Sequence, residues 1–252
     1  MKTNQPRAIF VMICVCAFVL VGCDNNPLVQ HKPDQLGAEA SITTIETITV
    51  NGEDLFQIEN INGIISVQQA PVSEITVSVC KTARAEFQEQ AEALLEVIEY
   101  SHSSNGDDIH AVASYPGNDS TQTLSVDLDV CLPLDMNGLI EHVNGTVVVT
   151  DFSRDLQVGL VNGRIEANCI PTSGSAIDII LVNGEIELNI PTSTSAILEA
   201  NVQVGSIDII GLNLQDAIRT DKSQHGILGD GDGMIILSAT SGDIRVTSSG
   251  LN

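Results

Sequence analysis

The stretch NGRIEANCIPTSGSAI (residues 162–177) is followed along the chain by a near copy, NGEIELNIPTSTSAI (residues 183–197). Self-similarity at a fixed period of about 20 residues is typical of a stacked repeat architecture. Each copy is too short to bury its own apolar side chains, so it needs one neighbour above it and one below. The two copies therefore predict a fold built from stacked coils.

Asn-Gly pairs, or their equivalents, mark the same point in further coils. Asn-Gly tolerates the positive φ of a tight turn, and an alternating apolar strand follows each pair. Successive glycines in the C-terminal part are 18, 21, 21 and 37 residues apart, and the last step is nearly two coils long. The predicted corner residues of the coils are Asn62, Gly63, Asn144, Gly145, Asn162, Gly163, Asn183, Gly184, Gly205 and Gly242.

The period matches a parallel β-solenoid, in which equivalent residues of successive coils stack at about 4.8 Å. If the coils stack in sequence order, the coil of Ile186 and Leu188 lies between the coil of Ile165 and the coil of Ile207. Along one corner, a hydrogen-bonded ladder is expected from the aligned side chains of Asn144, Asn162 and Asn183.

The rest of the chain from Ile42 onward is dominated by short alternating apolar runs bounded by Gly, Asn, Ser and Pro, which indicates an all-β domain. Residues 83–100 are the exception, because their apolar residues follow helical spacing and glutamates occupy the opposite face. We expect one amphipathic helix that packs on the solenoid or caps it. A partner-binding helix is the alternative to core packing.

The N-terminus has the pattern of a lipoprotein signal peptide. Lys2 and Arg7 precede an apolar run of 14 residues, 8–21, which is shorter than the ~20 residues of a membrane-spanning helix. The run ends in LVGC (residues 20–23), which resembles the bacterial lipobox, whose cysteine is acylated after cleavage before it. The predicted organisation is a signal peptide (1–22), a lipidated flexible tether (23–41) and a single solenoid domain (42–252).

Lipid on Cys23 implies a cell-envelope protein anchored to a membrane, facing the periplasm or the cell exterior. Asp24 resembles the signal that retains lipoproteins in the inner membrane, which applies if the source is a Gram-negative bacterium. Ordinary signal peptides and uncleaved anchors are the alternatives to the lipobox. A Cys23→Ala change distinguishes them, because it removes the acylated thiol.

Acidic residues dominate the composition: the formal net charge is −23. Cleavage before Cys23 would remove two basic residues, leaving 8 basic and 33 acidic residues and a charge of −25. Such a surface repels nucleic acid and anionic lipid headgroups. It is consistent with solubility of a repeat protein or with binding of cations or cationic partners.

Three cysteines remain beyond Cys23, in a compartment that permits disulfides. The apolar alternation of residues 74–81 and 125–132 points Cys80 and Cys131 outward near strand ends, so these two could pair across a ladder. Cys169 lies in the apolar register and is predicted to be a buried small hydrophobe.

No segment carries the spacing of a metal or catalytic site. The five histidines (His31, His102, His110, His142, His225) are scattered. The loop GDGDG (residues 229–233) is either a turn or a single copy of a calcium-binding pattern that normally occurs in tandem. The carboxylate pairs Asp127/Asp129 and Glu185/Glu187 are interpreted as solvated strand faces, and no cofactor is expected.

The coils, the helix after Lys81 and the tail from Gly229 to Arg245 together resemble a bacterial family of proposed adhesins of unknown function, whose domain looks like the head of an auto-transporter adhesin. The resemblance covers about residues 58–246. It implies a parallel β-solenoid and no settled activity.

We therefore expect a non-catalytic, membrane-anchored envelope lipoprotein with an adhesin-like binding or structural domain. An accessory component of an envelope signalling or transport assembly is the alternative. A carbohydrate-active enzyme on a β-helix scaffold is less favoured, because the chain has no Trp, two Tyr and few basic residues. The expected partners are a membrane, through the lipid on Cys23, and an unidentified protein or glycan, but no nucleic acid.

Overall fold

A computed structural model describes residues 37–116 and 122–249 of the chain, which fold into fourteen strands and one short helix. The N-terminal elements are β1 (Ala38–Thr49), β2 (Leu55–Ala70), β3 (Glu74–Ala85), α1 (Gln88–Leu95), β4 (Glu99–Asn105), β5 (Asp108–Ser114) and β6 (Gln122–Pro133). The C-terminal elements are β7 (Asn137–Phe152), β8 (Leu156–Cys169), β9 (Ala176–Pro191), β10 (Ala196–Val204), β11 (Ile207–Ile210), β12 (Gln215–Arg219), β13 (Ser223–Leu228) and β14 (Gly233–Ser249).

The strands form one sheet in the order β1-β3-β6-β2-β7-β8-β9-β14-β10-β13-β12. From β6 to β10 every neighbouring pair in this order is parallel. At the ends the neighbouring pairs β1/β3, β3/β6, β10/β13 and β13/β12 are antiparallel. Three strands lie off this path: β5 pairs with β2, β4 pairs with β5, and β11 pairs with β14. The fold is therefore all-β, with a parallel centre and antiparallel ends.

The long parallel strands change face at a glycine in their middle. In β8 the buried residues before Gly163 are Leu156, Val158 and Leu160, and those after it are Ile165, Ala167 and Cys169. The buried positions thus switch from even to odd numbers across the glycine. We call the residues before and after this point the first half and the second half of a strand. Buried side chains of both halves belong to one hydrophobic core.

The order of the strands corrects the predicted stacking in sequence order. Ile186 of β9 does lie beside Ile165 of β8, but its other neighbour is Ile244 of β14. Ile207 of β11 lies one place further out, beside Ile244. β11 has only four residues, whereas β14 pairs with β9 along its whole length, so β14 makes the larger set of backbone hydrogen bonds there.

The helix is also shorter than the predicted segment 83–100. Ala83 and Ala85 are buried in β3, which runs between β1 and β6, and α1 begins only at Gln88. Strand pairing on two sides outweighs the local helical spacing in this stretch. Ala91 is the buried residue of α1 and packs with Ala40 and Ala85, so the helix covers the β1 end of the sheet.

The folded part begins before the predicted boundary at Ile42. β1 starts at Ala38, which pairs with Ala85, and the buried Ala40 pairs with Ala83. The tether predicted for residues 23–41 therefore overlaps the first strand. The remainder of that tether, and the signal peptide, lie outside the described residues.

Candidate binding surface

The predicted corner residues lie side by side at the bend between the two halves. The glycines at this bend have φ between +125° and +151°, a range that side chains rarely adopt. A Cβ added to Gly163 would overlap the carbonyl oxygen of Gly145, and one added to Gly184 would overlap that of Gly163. We call this row the glycine stack, and it consists of Gly63, Gly145, Gly163, Gly184, Gly242 and Gly205.

Next to the glycine stack, four asparagines form a ladder of side-chain hydrogen bonds. Nδ2 of Asn144 donates to Oδ1 of Asn62 at 2.9 Å, Asn162 donates to Asn144 at 2.9 Å, and Asn183 donates to Asn162 at 3.0 Å. Ser241 and Val204 occupy the equivalent positions in β14 and β10. The ladder therefore runs through β2, β7, β8 and β9.

A buried polar pair under the bend has no signal in the repeat pattern. His142 is 3% exposed, and its ring nitrogens lie 3.0 Å from the carbonyl oxygen of Asn60 and 2.9 Å from that of Gly63. Nδ2 of Asn60 donates to the carbonyl oxygen of Val126 at 2.7 Å. The pair ties β2, β6 and β7 together where the antiparallel end of the sheet begins. In the first half of β7 the even-numbered residues are buried, and His142 is one of them.

The outer face of the second halves is polar, and its charges are paired. Arg164 has its guanidinium nitrogens 2.7 Å from a carboxylate oxygen of Glu166, 3.5 Å from Glu185 and 2.6 Å from Glu187. Arg245 of β14 lies 3.9 Å from Glu187. The predicted carboxylate pair Glu185/Glu187 therefore faces outward as expected, but it is held by arginine rather than only by solvent.

Asparagine and aspartate side chains complete that face. Asn189 donates to Asn168 at 2.9 Å, in the next rung. Asp127, of the predicted pair Asp127/Asp129, accepts a hydrogen bond from the backbone N–H of Ile64 at 2.8 Å. Burial raises the pKa of the Asp127 carboxyl, which the hydrogen bond from Ile64 opposes. Asp129 is exposed.

The outer face of the first halves carries an exposed apolar row. One residue before each ladder asparagine lies an apolar side chain, in register from β2 to β9. Val143, Val161 and Val182 remain 37%, 39% and 37% exposed. We call the row the apolar strip, and it consists of Ile61, Val143, Val161 and Val182.

A groove of about 550 Å³ runs alongside the apolar strip. Its neighbouring row, two residues further from the bend, holds Glu59, Glu141, Gly159 and Ile180 in register. Residues 112–114, at the end of β5, line it beyond β2. Gly159 leaves a gap between the side chains of Glu141 and Ile180, while Ile180 is 52% exposed. The repeat pattern does not predict this surface, although the residue before each Asn-Gly pair is Ile or Val.

The loop at residues 229–233 is a turn fastened by a serine. Gly229 and Gly231 have φ of +57° and +76°. The hydroxyl oxygen of Ser195 accepts hydrogen bonds from the backbone N–H groups of Asp230 at 3.0 Å and Asp232 at 3.3 Å. Within residues 37–116 and 122–249, no group of three His, Cys, Asp or Glu side chains is arranged to hold a metal ion.

The predicted Cys80–Cys131 bridge does not fit the register. In the β3–β6 ladder Cys80 lies opposite Asp127, and Cys131 lies opposite Thr76. Four residues of strand are roughly 13 Å, beyond the ~7 Å between Cα atoms that a disulfide spans. Cys131 is also buried rather than outward. Cys169 is 1% exposed, and burial raises the pKa of its thiol to about 12.

Three further histidines lie beside glutamates of other strands. His110 lies 2.8 Å from Glu59, His102 lies 3.2 Å from Glu46, and His225 lies 3.5 Å from Glu199. His31 and the lipid-attachment residue Cys23 lie outside the described residues. No helix in the described part of the chain is long and apolar enough to cross a membrane.

No family model and no curated protein match the chain at a significant level. Among solved structures, a proposed cell adhesion protein from Clostridium sporogenes is 15% identical, with a TM-score of 0.61 over 83% of this chain and 100% of that one. A proposed adhesin from Bacteroides fragilis is 9% identical, with a TM-score of 0.29 over 82% of this chain and 97% of that one. At 15% identity, what this chain shares with the Clostridium protein is its fold.

Proposed function

We propose that the chain is an envelope lipoprotein whose β-solenoid domain acts by binding, as an adhesin-like module without catalytic activity. The apolar strip and its groove carry the proposal, because exposed apolar rows on a scaffold held in register are typical of interaction surfaces. The fold shared with the Clostridium protein, a proposed cell adhesion protein, supports it.

We interpret the parallel centre of the sheet as a solenoid, because this accounts for the register of its strands. From β2 to β14 each rung adds one strand with the same bend, and its core, ladder and glycine positions lie directly over those of its neighbour. Stacked rungs of this kind form a stiff rod. A stiff rod projects a surface away from a membrane without losing its shape.

Anchoring through Cys23 is the second part of the proposal. The short apolar run followed by the lipobox-like LVGC supports it. The lipid would hold the domain at the periplasmic or outer face of an envelope membrane. Retention in the inner membrane by Asp24 applies to a Gram-negative source.

Metabolic labelling with an alkyne fatty acid tests the anchor. The full chain should incorporate the label, whereas the Cys23→Ala variant should remain an unprocessed and unlabelled precursor. Equal labelling of the two proteins would exclude a lipid on Cys23. Cys169→Ala is the matched control, because its thiol is buried and its loss should leave labelling unchanged.

Site-specific photo-crosslinking in cells tests the binding function. Benzoylphenylalanine at Val161 lies on the apolar strip, whereas the same residue at Glu166 lies on the polar outer face of the same strand. Binding through the strip predicts a discrete crosslinked species from position 161 and none from position 166. No crosslink from position 161, in cells that display the processed protein, would contradict a binding role for this face.

A further inference from the structure

We propose that the groove over Gly159 binds an extended peptide segment of a partner protein, with a basic side chain beside apolar ones. This inference rests on the proposed binding function and deepens it by naming the surface and the chemistry of its partner. Three observations carry it: the unneeded glycine in the groove, the length of the apolar strip, and the charges at one end.

The backbone does not require a glycine at position 159. Gly163, in the same strand, has a φ of +141° and no room for a Cβ, but Gly159 has no such positive φ. A Cβ on Gly159 would meet only the carbonyl oxygen of Ile140, at 3.9 Å, an ordinary contact. Glycine weakens a strand interior and often marks a place where a ligand or another backbone approaches closely. Its lack of a side chain keeps the groove open.

The apolar strip has the length of a short extended peptide. It crosses four adjacent strands, which at about 4.8 Å per strand spans roughly 14 Å. An extended segment of four or five residues, at about 3.3 Å per residue, covers that distance. Because alternate side chains of such a segment point the same way, two or three of its apolar side chains can face the strip.

Negative charge at one end of the groove favours a partner with a positive charge there. Glu59 and Glu141 line the β2 and β7 end, whereas Gly159 and Ile180 line the β8 and β9 end. None of the described residues that line the groove is Lys or Arg. A basic side chain placed over Glu141 therefore lies one strand away from an apolar side chain placed over Gly159.

The same charges disfavour the other occupants of an apolar face. A second copy of this chain would bring its own Glu59 and Glu141 towards the groove, and each copy has a net charge of −23. An anionic lipid surface would be repelled in the same way. A peptide with basic and apolar side chains is complementary both to the carboxylates at one end of the groove and to the apolar strip.

Fluorescence anisotropy with defined peptides tests the proposal on the full chain in neutral-lipid nanodiscs. The probe is a fluorescein-labelled peptide of sequence Ser-Lys-Lys-Val-Leu-Val-Ser. In one comparison peptide Glu replaces each Lys, and in the other Ser replaces each apolar residue. We expect binding of the first peptide to exceed that of either comparison peptide at least tenfold.

Two variants locate the binding. Gly159→Val fills the groove with a residue that suits a strand, so it should weaken binding at least tenfold while leaving the unfolding midpoint unchanged or raised. Glu141→Lys should weaken binding by a similar factor and remove most of its salt dependence. Asp129→Lys, on the polar outer face, makes the same charge change and should weaken binding less than twofold.

The outcomes distinguish binding in the groove from non-specific attraction to the acidic surface. Equal binding to the wild type and Gly159→Val, or equal effects of Glu141→Lys and Asp129→Lys, would show attraction by net charge alone and overturn the proposal. Absence of peptide binding would also overturn it. If crosslinking from Val161 persists in that case, only the peptide chemistry fails; if it is lost as well, the proposed binding function fails with it.

Discussion

The outer faces of the first and second halves cover the same core, strand by strand, yet they carry different chemistry. On the second halves Arg164 and Arg245 lie among glutamates, and Asn189 bonds Asn168. On the first halves the apolar strip and Ile180 remain exposed. The glycine stack separates the two faces.

The difference shows which face the chain satisfies by itself. Ion pairs and side-chain ladders supply partners for the polar groups of the second halves, so that face is complete in the isolated molecule. The apolar strip has no comparable cover among the described residues, and burying it would release the free energy of apolar transfer, about 25 cal/mol per Å². A partner that binds the outer face of the first halves therefore buries more apolar surface, and gains more binding free energy, than one that binds the second halves.

The largest expected effect separates the core from the polar face. Leu188 is 1% exposed, so Leu188→Lys places an unpaired charge between β8 and β14 and should lower the free energy of unfolding by at least ~3 kcal/mol. Glu187→Lys, one residue away on the polar outer face, removes ion pairs to Arg164 and Arg245 and should cost ~1 kcal/mol. Urea titration measures both, and equal midpoint shifts would contradict the strand register.

Two glycines of β8 sharpen the comparison at the bend. Gly163→Ala forces an unfavourable φ and a steric overlap with Gly145, so it should destabilise the domain by about 2 kcal/mol or more. Gly159→Ala, on the outer face of the first half, should be neutral or stabilising by up to ~1 kcal/mol. Thermal and urea unfolding of the two variants check this. Similar losses would mean that Gly159 has a structural role.

A smaller effect distinguishes the ladder from the apolar strip. Asn162→Ala removes the hydrogen bonds to Asn144 and from Asn183, which should cost ~1 kcal/mol at this exposed position. The neighbouring Val161→Ala should change stability by less than ~0.5 kcal/mol and instead reduce peptide binding. A stability loss from Val161→Ala as large as that from Asn162→Ala would show that the strip supports the fold.

The smallest effect concerns calcium. The loop at residues 229–233 is held by Ser195, and the carboxylate of Asp232 lies 3.3 Å from the Ser195 hydroxyl and 3.5 Å from that of Ser173. A bound ion would raise the melting temperature by mass action. We expect calcium and magnesium at millimolar concentration to give the same small shift through screening of the net charge. A calcium-specific rise, lost in Asp230→Asn with Asp232→Asn, would contradict this.

Local signals in the sequence predicted the local structure well. The spacing of the Asn-Gly pairs gives the bend positions and the parallel register of β7, β8 and β9. The predicted tight turns do not form, because each of these pairs lies inside a continuous strand and only its glycine has a positive φ. The all-β class follows from the alternation. Residues 83–85 show where a local signal fails, because pairing with β1 and β6 overrides the helical spacing.

Contacts between distant strands could not be predicted in this way. The position of β14 beside β9 depends on the competing lengths of β11 and β14, which no short pattern contains. The same limit applies to Cys80 and Cys131, whose separation depends on register. The candidate surface was missed for another reason: the groove depends on Gly159 lacking a side chain at a position where the backbone would accept one.

The place of β14 has a consequence for the order in which the protein can be made. Residues 233–249 fill the slot between β9 and β10, and they follow all the other described strands in chain order. Until they emerge, the growing chain holds two unpaired parallel edges, which are open to wrong pairing with other chains. The domain therefore cannot close its core until β14 has left the ribosome. A late stop codon would remove the strand that joins the two ends of the sheet.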